Sequence, residues 1–317
     1  MRDEINKAAE LLNQGKVVAI PTETVYGLAA NAFDENAVKQ IFEIKQRPLF
    51  NPLIVHIKSI DYLDKIAKEI PAKALELAKH FWPGALTLVL PKKDIIPNIV
   101  SANKATVAVR IPSHPITLQL LNQLDFPLAA PSANPFGYIS PTKAAHVEKQ
   151  LGSKIPFILD GGSCEKGIES TIIGFENGEP VLYRVGAISK AEIEKCIGKI
   201  QLKNNASAVP EAPGMLTKHY SPKTKFIVSD TIAASIIKHK NNNVGFLLFS
   251  DTTILQKEKY IRISKNDDLE EAAQNLYAAM HELDAMNFDF IIAEKFPEMG
   301  LGISINDRLY RAQETEF

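Results

Sequence analysis

Two cations stand two residues apart at the head of the run Lys45–His56, K-Q-R-P-L-F-N-P-L-I-V-H. Residues so spaced diverge on a helix but face the same side of an extended segment. Pro48 biases Arg47 out of helical conformation. The spacing therefore predicts a helix that ends at or near Lys45, with both cations aimed at one anion. A guanidinium fork beside a lysine point charge suits a polyphosphate. The plain alternative is a solvated basic helix end, favoured by the helix dipole.

The stretch Pro131–Pro141, P-S-A-N-P-F-G-Y-I-S-P, repeats that geometry with neutral groups. Asn134 precedes a proline, so Ser132 and Asn134 are expected on one side of a stiff loop, able to bond phosphate, ribose or base. The alternative is a structural loop whose Ser and Asn close local turns. Further polar residues sit where strands should end: Thr22, Glu23 and Thr24, then His56, Arg110 and the Ser170-Thr171 pair. A buried Arg without a partner is costly, so Arg110 either forms an internal ion pair or awaits a ligand carboxylate. Asp160-Gly161-Gly162 reads as a tight turn of open function. Two nucleotide signatures are missing. No G-x-x-x-x-G-K-[ST] loop occurs, and Gly300-Leu301-Gly302 lacks a third glycine, so it reads as a turn before a terminal helix.

The elements that must hold these residues follow from periodicity. Residues 1–15 read as an amphipathic helix with Ile5, Ala8, Ala9 and Leu12 on one face and Gly15 as its stop. Val17–Pro21, Leu53–Ile57, Ala85–Leu90, Thr106–Ile111, Phe157–Leu159, Thr171–Phe175 and Val181–Val185 read as strands. Helices are expected at Asp34–Lys45 and Pro71–Phe81, and near 115–122, 143–150 and 189–197. Strands interleaved with helices indicate a mixed α/β sheet. The pattern dissolves over 203–222, which is rich in proline and polar residues and reads as a linker and a candidate lid. Strands at Phe226–Val228, Val244–Phe249 and Phe290–Ala293, with a long helix at Asp267–Met286, then form a smaller α/β unit. The expected division is 1–202, 203–222 and 223–317, with chemistry in the first two-thirds.

Composition bounds the rest. The 317 residues are 45% hydrophobic and 23% charged, with net charge -1, which argues against a dedicated nucleic-acid binder. Cys164 and Cys196 are far apart and unmatched, which suggests buried thiols in a reducing compartment. No histidine spacing suits zinc, no run spans a bilayer, and no signal-peptide pattern opens the chain. A cytoplasmic protein without membrane attachment is expected.

Taken together, six motifs occur in the order of one family: P-T-E-T-V-Y-G-L at 21–28, K-Q-R-P at 45–48, N-P-L-I-V-H at 51–56, P-S-A-N at 131–134, E-S-T-I at 169–172 and R-V-G at 184–186. The chain resembles the YrdC-like L-threonylcarbamoyladenylate synthases. A-P-G-M-L-T-K-H-Y-S-P at 212–222 resembles the linker of the longer, two-domain version, with Ala212 where serine is common. The resemblance implies a YrdC-like twisted mixed sheet with helices, followed by a smaller Rossmann-like α/β domain. It also implies a reaction: L-threonine, bicarbonate and ATP give threonylcarbamoyl-AMP and pyrophosphate. A separate transferase system then uses the product to make threonylcarbamoyladenosine in tRNA. By resemblance, Lys45 and Arg47 are catalytic and, with Asn51, Thr106, Ser132, Asn134, Ser140, Arg184 and Tyr220, contact ATP, which brings Mg²⁺. Thr24, His56, Arg110, Ser170 and the backbone at Ala130 match the threonine pocket. Two other readings compete. One is the related carbamoyl-transfer module of hydrogenase maturation proteins. The other is an RNA-binding module with a basic concave face around Lys39, Lys45, Arg47 and Lys58; weak tRNA contact is also compatible with catalysis.

Overall fold

The computed structural model describes residues 1–203, 211–215, 218–249 and 259–313. Nine strands form the larger sheet: β1 (Val18–Ile20), β2 (Gly27–Asn31), β3 (Ile54–His56), β4 (Leu86–Pro91), β5 (Thr106–Arg110), β6 (Leu128–Ala129), β7 (Thr171–Glu176), β8 (Glu179–Arg184) and β9 (Gln201–Leu202). Their order is β1-β2-β6-β3-β5-β4-β7-β8-β9. The pairs β3/β5, β4/β7 and β8/β9 are parallel and the others antiparallel, as a mixed sheet requires. Helices α1 (Arg2–Asn13), α2 (Glu35–Lys45), α3 (Leu63–Ile66), α4 (Ala72–Phe81), α5 (Asn98–Ser101), α6 (Pro115–Asn122), α7 (Ala144–Leu151) and α8 (Lys190–Ile197) surround it. The Phe157–Leu159 run, expected as a strand, contributes one bridge, Ile158 to Ala19.

Strand alternation creates the cleft. Val55 of β3 and Val109 of β5 enter the core packed against α2 and α4, whereas Ile54 and Ala108 face the other way. Period-2 geometry then turns His56 and Arg110 to that second face as well. Two different covers lie on the second face. At one end α1 and α6 pack on Val18, Ile20, Ala29 and Leu128. In the middle, Ala212 and Met215 of the expected linker pack on Ile54, Ala108, Ile172 and Tyr183. Residues 204–210 and 216–217 of that linker lie outside the described residues. The described remainder is a buried strap, not a free tether: Ala212 is 0%, His219 6% and Tyr220 1% exposed.

The C-terminal unit holds four parallel strands, β10 (Lys225–Ser229), β11 (Val244–Leu248), β12 (Lys259–Arg262) and β13 (Phe290–Glu294), in the order β10-β13-β11-β12. Its helices are α9 (Ile232–Lys238), α10 (Leu269–Ala285) and α11 (Leu301–Ala312), with Gly300 capping α11. The apolar face of α10 (Leu276, Met280, Leu283) packs in one cluster with Val25 and Ile139 of the larger unit, so the two units share a core. Cys164 and Cys196 are unpaired. No described helix is long and apolar enough to cross a membrane.

Candidate active site

α2 starts where Asp34 accepts from the Asn36 and Ala37 amides at 2.9 and 3.2 Å. It ends at Lys45, as Pro48 predicts, but the residue that follows is not extended. Gln46 is left-handed at φ 53, the Gln46 N–H returns to the Glu43 carbonyl and the Arg47 N–H to the Phe42 carbonyl, a Schellman turn. That reversal, not a shared strand face, brings the two cations inward, and it rules out a solvated helix end: Lys45 is 2% and Arg47 7% exposed. Lys45 Nζ donates to the Ser132 carbonyl at 2.6 Å and to that of Asn134, tying helix to loop. Burial pushes its pKa well below the usual lysine range, and the Arg47 charge adds to this. Arg47 donates to the Asn51 and Pro52 carbonyls at 3.1 and 2.8 Å. Burial brings its pKa down to about 9, so it stays charged at neutral pH.

Arg184 completes the cationic wall. Plain alternation from Leu182, which enters the helix-side core, would turn Arg184 away from the cleft. A register shift pairs Ile172 with Arg184 but Ile173 with Leu182, leaving Tyr183 as the extra residue of a β-bulge, and the bulge re-aims the side chain. Arg184 donates to the Ser170 carbonyl and, at 2.9 Å, to the Pro213 carbonyl of the strap. Gly214 must follow closely: at φ +75 a Cβ there would meet Arg184 Nη1 at 2.7 Å and the Tyr220 hydroxyl at 2.8 Å. Gly186 has a similar duty, since its Cβ would lie 2.4 Å from the Ser170 carbonyl carbon.

The opposite end of the cleft is built around Arg110. The guanidinium lies 2.6 Å from Glu23 and donates to Thr24 Oγ1 at 2.9 Å. Glu23 also accepts from the Ser113 N–H at 3.1 Å. The internal ion pair is therefore formed, and Arg110 still lines the cleft beside His56 and Thr24. Burial, reinforced by Arg110, brings the His56 pKa down to about 3, so the ring is neutral. The Ala130 N–H donates to the Ile54 carbonyl at 2.9 Å, and Ala130 lines the cleft. Ser170 Oγ shares a 2.8 Å bond with Thr87 and accepts from Arg184 at 3.2 Å. Asp160-Gly161-Gly162 proves structural, gripping the Tyr26 hydroxyl through both glycines.

The cleft thus gathers Thr24, Arg47, His56, Arg110, Ala130, Ser132, Ser170, Arg184 and Tyr220, with Lys45 directly behind. Other expected residues stand apart. Asn134 Nδ2 closes its own loop on the Pro135 and Tyr138 carbonyls, as the local-turn alternative has it. The Asn51 side-chain amide is fully buried, away from the lining, with no bonding partner among the described residues. Thr106 opens β5 at the end remote from Arg110, about 13 Å along the strand, beside a separate recess shared with Tyr183 and Glu211. Ser140 lies behind the wall and donates to Glu169 at 2.7 Å.

Sequence reasoning gave no role to Glu169, Thr22 or His219, all of which line the cleft. Glu169 sits inside the quoted E-S-T-I motif, which could have exposed it. Despite burial, which raises a carboxyl pKa, Arg308 and Arg184 hold it down to about 2. Burial likewise brings the His219 pKa down to about 3, so this ring too is neutral. Expecting chemistry only in the first two-thirds also missed Tyr277 and Arg308, because the fold's seam carries them to Glu169.

The family model described as telomere recombination (Sua5, YciO and YrdC) matches residues 10–186, more than half of the chain. The chain belongs to the Sua5–YciO–YrdC family. A second family model, the C-terminal domain of threonylcarbamoyl-AMP synthase, matches residues 188–313. Among curated members of this family, the threonylcarbamoyl-AMP synthase of Pyrococcus abyssi is 44% identical over 98% of this chain and 94% of its own length. That of Bacillus subtilis is 42% identical over 98% and 92%. The crystal structure of P. abyssi Sua5 complexed with L-threonine superposes with a TM-score of 0.91 at 42% identity, covering 98% of this chain and 96% of that one. The E. coli YciO structure covers 59% of this chain and 90% of its own, at 26% identity and TM-score 0.53. The YrdC-like sheet is therefore shared by both neighbours, and the second unit with Sua5.

Proposed function

We propose that this chain is a threonylcarbamoyl-AMP synthase, a nucleotidyltransferase that uses ATP and L-threonine. The observation that carries the reading is a single cleft with two chemically different ends. Lys45, Arg47 and Arg184 are buried at one end, and Glu169 is the only carboxylate in the lining among the described residues. Buried cations with so little compensation favour a polyanionic ligand. At the other end Arg110 and two hydroxyl side chains suit a small hydroxy amino acid, and a site built to bond a hydroxyl rejects analogues without one. The full-length likeness to curated synthases supports the same assignment.

In this reading Arg110 clamps the threonine carboxylate, Thr24 and Ser170 read its hydroxyl, and the Ala130 carbonyl and neutral His56 accept hydrogen bonds beside them. The bicarbonate-derived carbamate of threonine forms a bond from its oxygen to the α-phosphorus, and the bond to pyrophosphate breaks. Arg47 and Arg184, with Lys45 behind them holding the Ser132 loop, meet charge that grows on the phosphoryl oxygens and on the leaving group, which is where fixed cations lower the barrier. His56 and His219 are too weakly basic to hold a proton at neutral pH, so neither ring takes the proton from the threonine ammonium. The expected Mg²⁺ has no cluster of three acidic, histidine or cysteine side chains to hold it among the described residues, and Glu169 is fully bonded. The ion would arrive on the nucleotide's own oxygens.

The RNA-binding alternative loses its centre. Lys45 and Arg47 are buried, Lys39 pairs with Glu35, and Lys58 donates to the Leu124 carbonyl. The hydrogenase-type alternative gives no account of the match over 188–313. The deciding experiment incubates pure protein with ATP, Mg²⁺, L-threonine and bicarbonate. Pyrophosphate release should require threonine and bicarbonate together, and release indifferent to threonine overturns the reading.

A further inference from the structure

Glu169 is the meeting point of the two units. Its Oε1 accepts from Ser140 at 2.7 Å and from the Tyr277 hydroxyl at 3.1 Å; its Oε2 accepts from Tyr277 at 2.9 Å and Arg308 Nε at 2.9 Å. Tyr277 lies on α10 and Arg308 on α11, both in the C-terminal unit, and both side chains are fully buried. Arg308 also donates to the Val185 carbonyl at 2.8 Å and stacks over the Tyr220 ring with its carbon 5.4 Å from the centroid. Arg184, the other cation near Glu169, makes its hydrogen bonds to Ser170 and to the strap carbonyl of Pro213 instead.

We propose that Arg308 and Tyr277 are positioning residues of the nucleotide site. By neutralising and holding Glu169 they leave Arg184 on the strap with its charge toward the cleft. A buried carboxylate must have a partner or lose its charge. Without Arg308, the cation within reach of Glu169 is Arg184. Swinging Arg184 onto the carboxylate releases the Pro213 carbonyl and cancels the charge that faces a triphosphate. The C-terminal unit thereby sets ATP affinity without touching ATP. The inference rests on the reading above that the cleft binds ATP.

The test uses full-length protein and calorimetric binding of MgATP and of L-threonine, neither of which needs turnover. Tyr277→Phe removes one hydroxyl and keeps the ring and its packing. It should weaken ATP binding about tenfold, the scale of one bond to a charged group, and leave threonine binding within about twofold. Arg308→Met should weaken ATP further, and Arg308→Met/Glu169→Gln, which removes the orphaned carboxylate, should recover part of the loss. A general structural role would weaken both substrates together and gain nothing from the second substitution. Unchanged ATP affinity in Tyr277→Phe, or equal losses for ATP and threonine, overturns the proposal; if Arg308→Met does not fold, Tyr277→Phe decides alone. Wild-type protein that binds ATP but releases no threonine-dependent pyrophosphate would sink the synthase reading and leave this one standing on the affinities.

Discussion

Removing Arg110 alone would mislead, because its partner is buried with it. The two side chains are 3% and 4% exposed and 2.6 Å apart, so Arg110→Met strands the Glu23 carboxylate in the interior. Breaking such a pair costs about 3–5 kcal/mol of folding stability, and any loss of activity would then mix unfolding with lost recognition. Arg110→Met/Glu23→Gln removes both charges. Replacing a whole buried pair is often neutral, and the amide that replaces the carboxylate keeps an oxygen for the Ser113 N–H, so the double variant should melt within about 1 kcal/mol of wild type. What remains is the lost clamp. A charge-assisted contact to a carboxylate is worth about 1.5–3 kcal/mol, which predicts a threonine KM raised about 10- to 150-fold. ATP affinity should hold, because the cationic wall lies at the other end of the cleft. Pyrophosphate release at varied threonine, with a melting curve for each variant, reads both quantities. A double variant of wild-type stability with threonine KM within twofold of normal would show that Arg110 serves only Glu23.

Arg47→Ala should weaken ATP binding by about 1.5–3 kcal/mol. Because it also strips donors from the buried Asn51 and Pro52 carbonyls, the melting temperature should fall too; an unchanged melt would mean that water replaces those bonds. Gly214→Ala forces a side chain into Arg184 and Tyr220 at a left-handed residue and should cost about 1–3 kcal/mol, read as faster tryptic cleavage at Lys218. Stability should also fall on acidification. His56 and His219 have folded pKa values of about 3 and His281 about 4, all below the ordinary 6.5, so the unfolded chain binds more protons in that window. Stability is then complete above about pH 6.5 and lost below it, by about 1.4 kcal/mol per pH unit for each buried histidine. His281→Gln should flatten the slope between pH 6.5 and 4, and an unaltered slope would count against its burial in the neutral form.

Much of this was legible in the chain. The apolar face of α1, the helix end at Lys45 and the strand runs holding His56 and Arg110 follow from periodicity and from one proline. The direction of Arg184 did not, because a bulge adds one residue and inverts the alternation on which such a reading depends. Nor did the reason that Lys45 and Arg47 converge: a left-handed Gln46 carries no mark in its residue type. Composition pointed to a linker and candidate lid at 203–222, since proline, glycine and polar residues dominate it, but Ala212, Met215 and Tyr220 are the small and apolar groups that let its described part bury. Tyr277 and Arg308 lie more than a hundred positions from Glu169, and local pattern is silent about contacts at such range.

The strap also carries a thermal signature. Where Ala212 and Met215 lie on Ile54, Ala108, Ile172 and Tyr183, closure removes apolar surface from water, a driving force that is mainly entropic near room temperature and weakens on cooling. The hold of Arg184 on the Pro213 carbonyl has no such dependence. Cooling therefore weakens the contact of Ala212 and Met215 with the sheet more than the bond from Arg184 to Pro213.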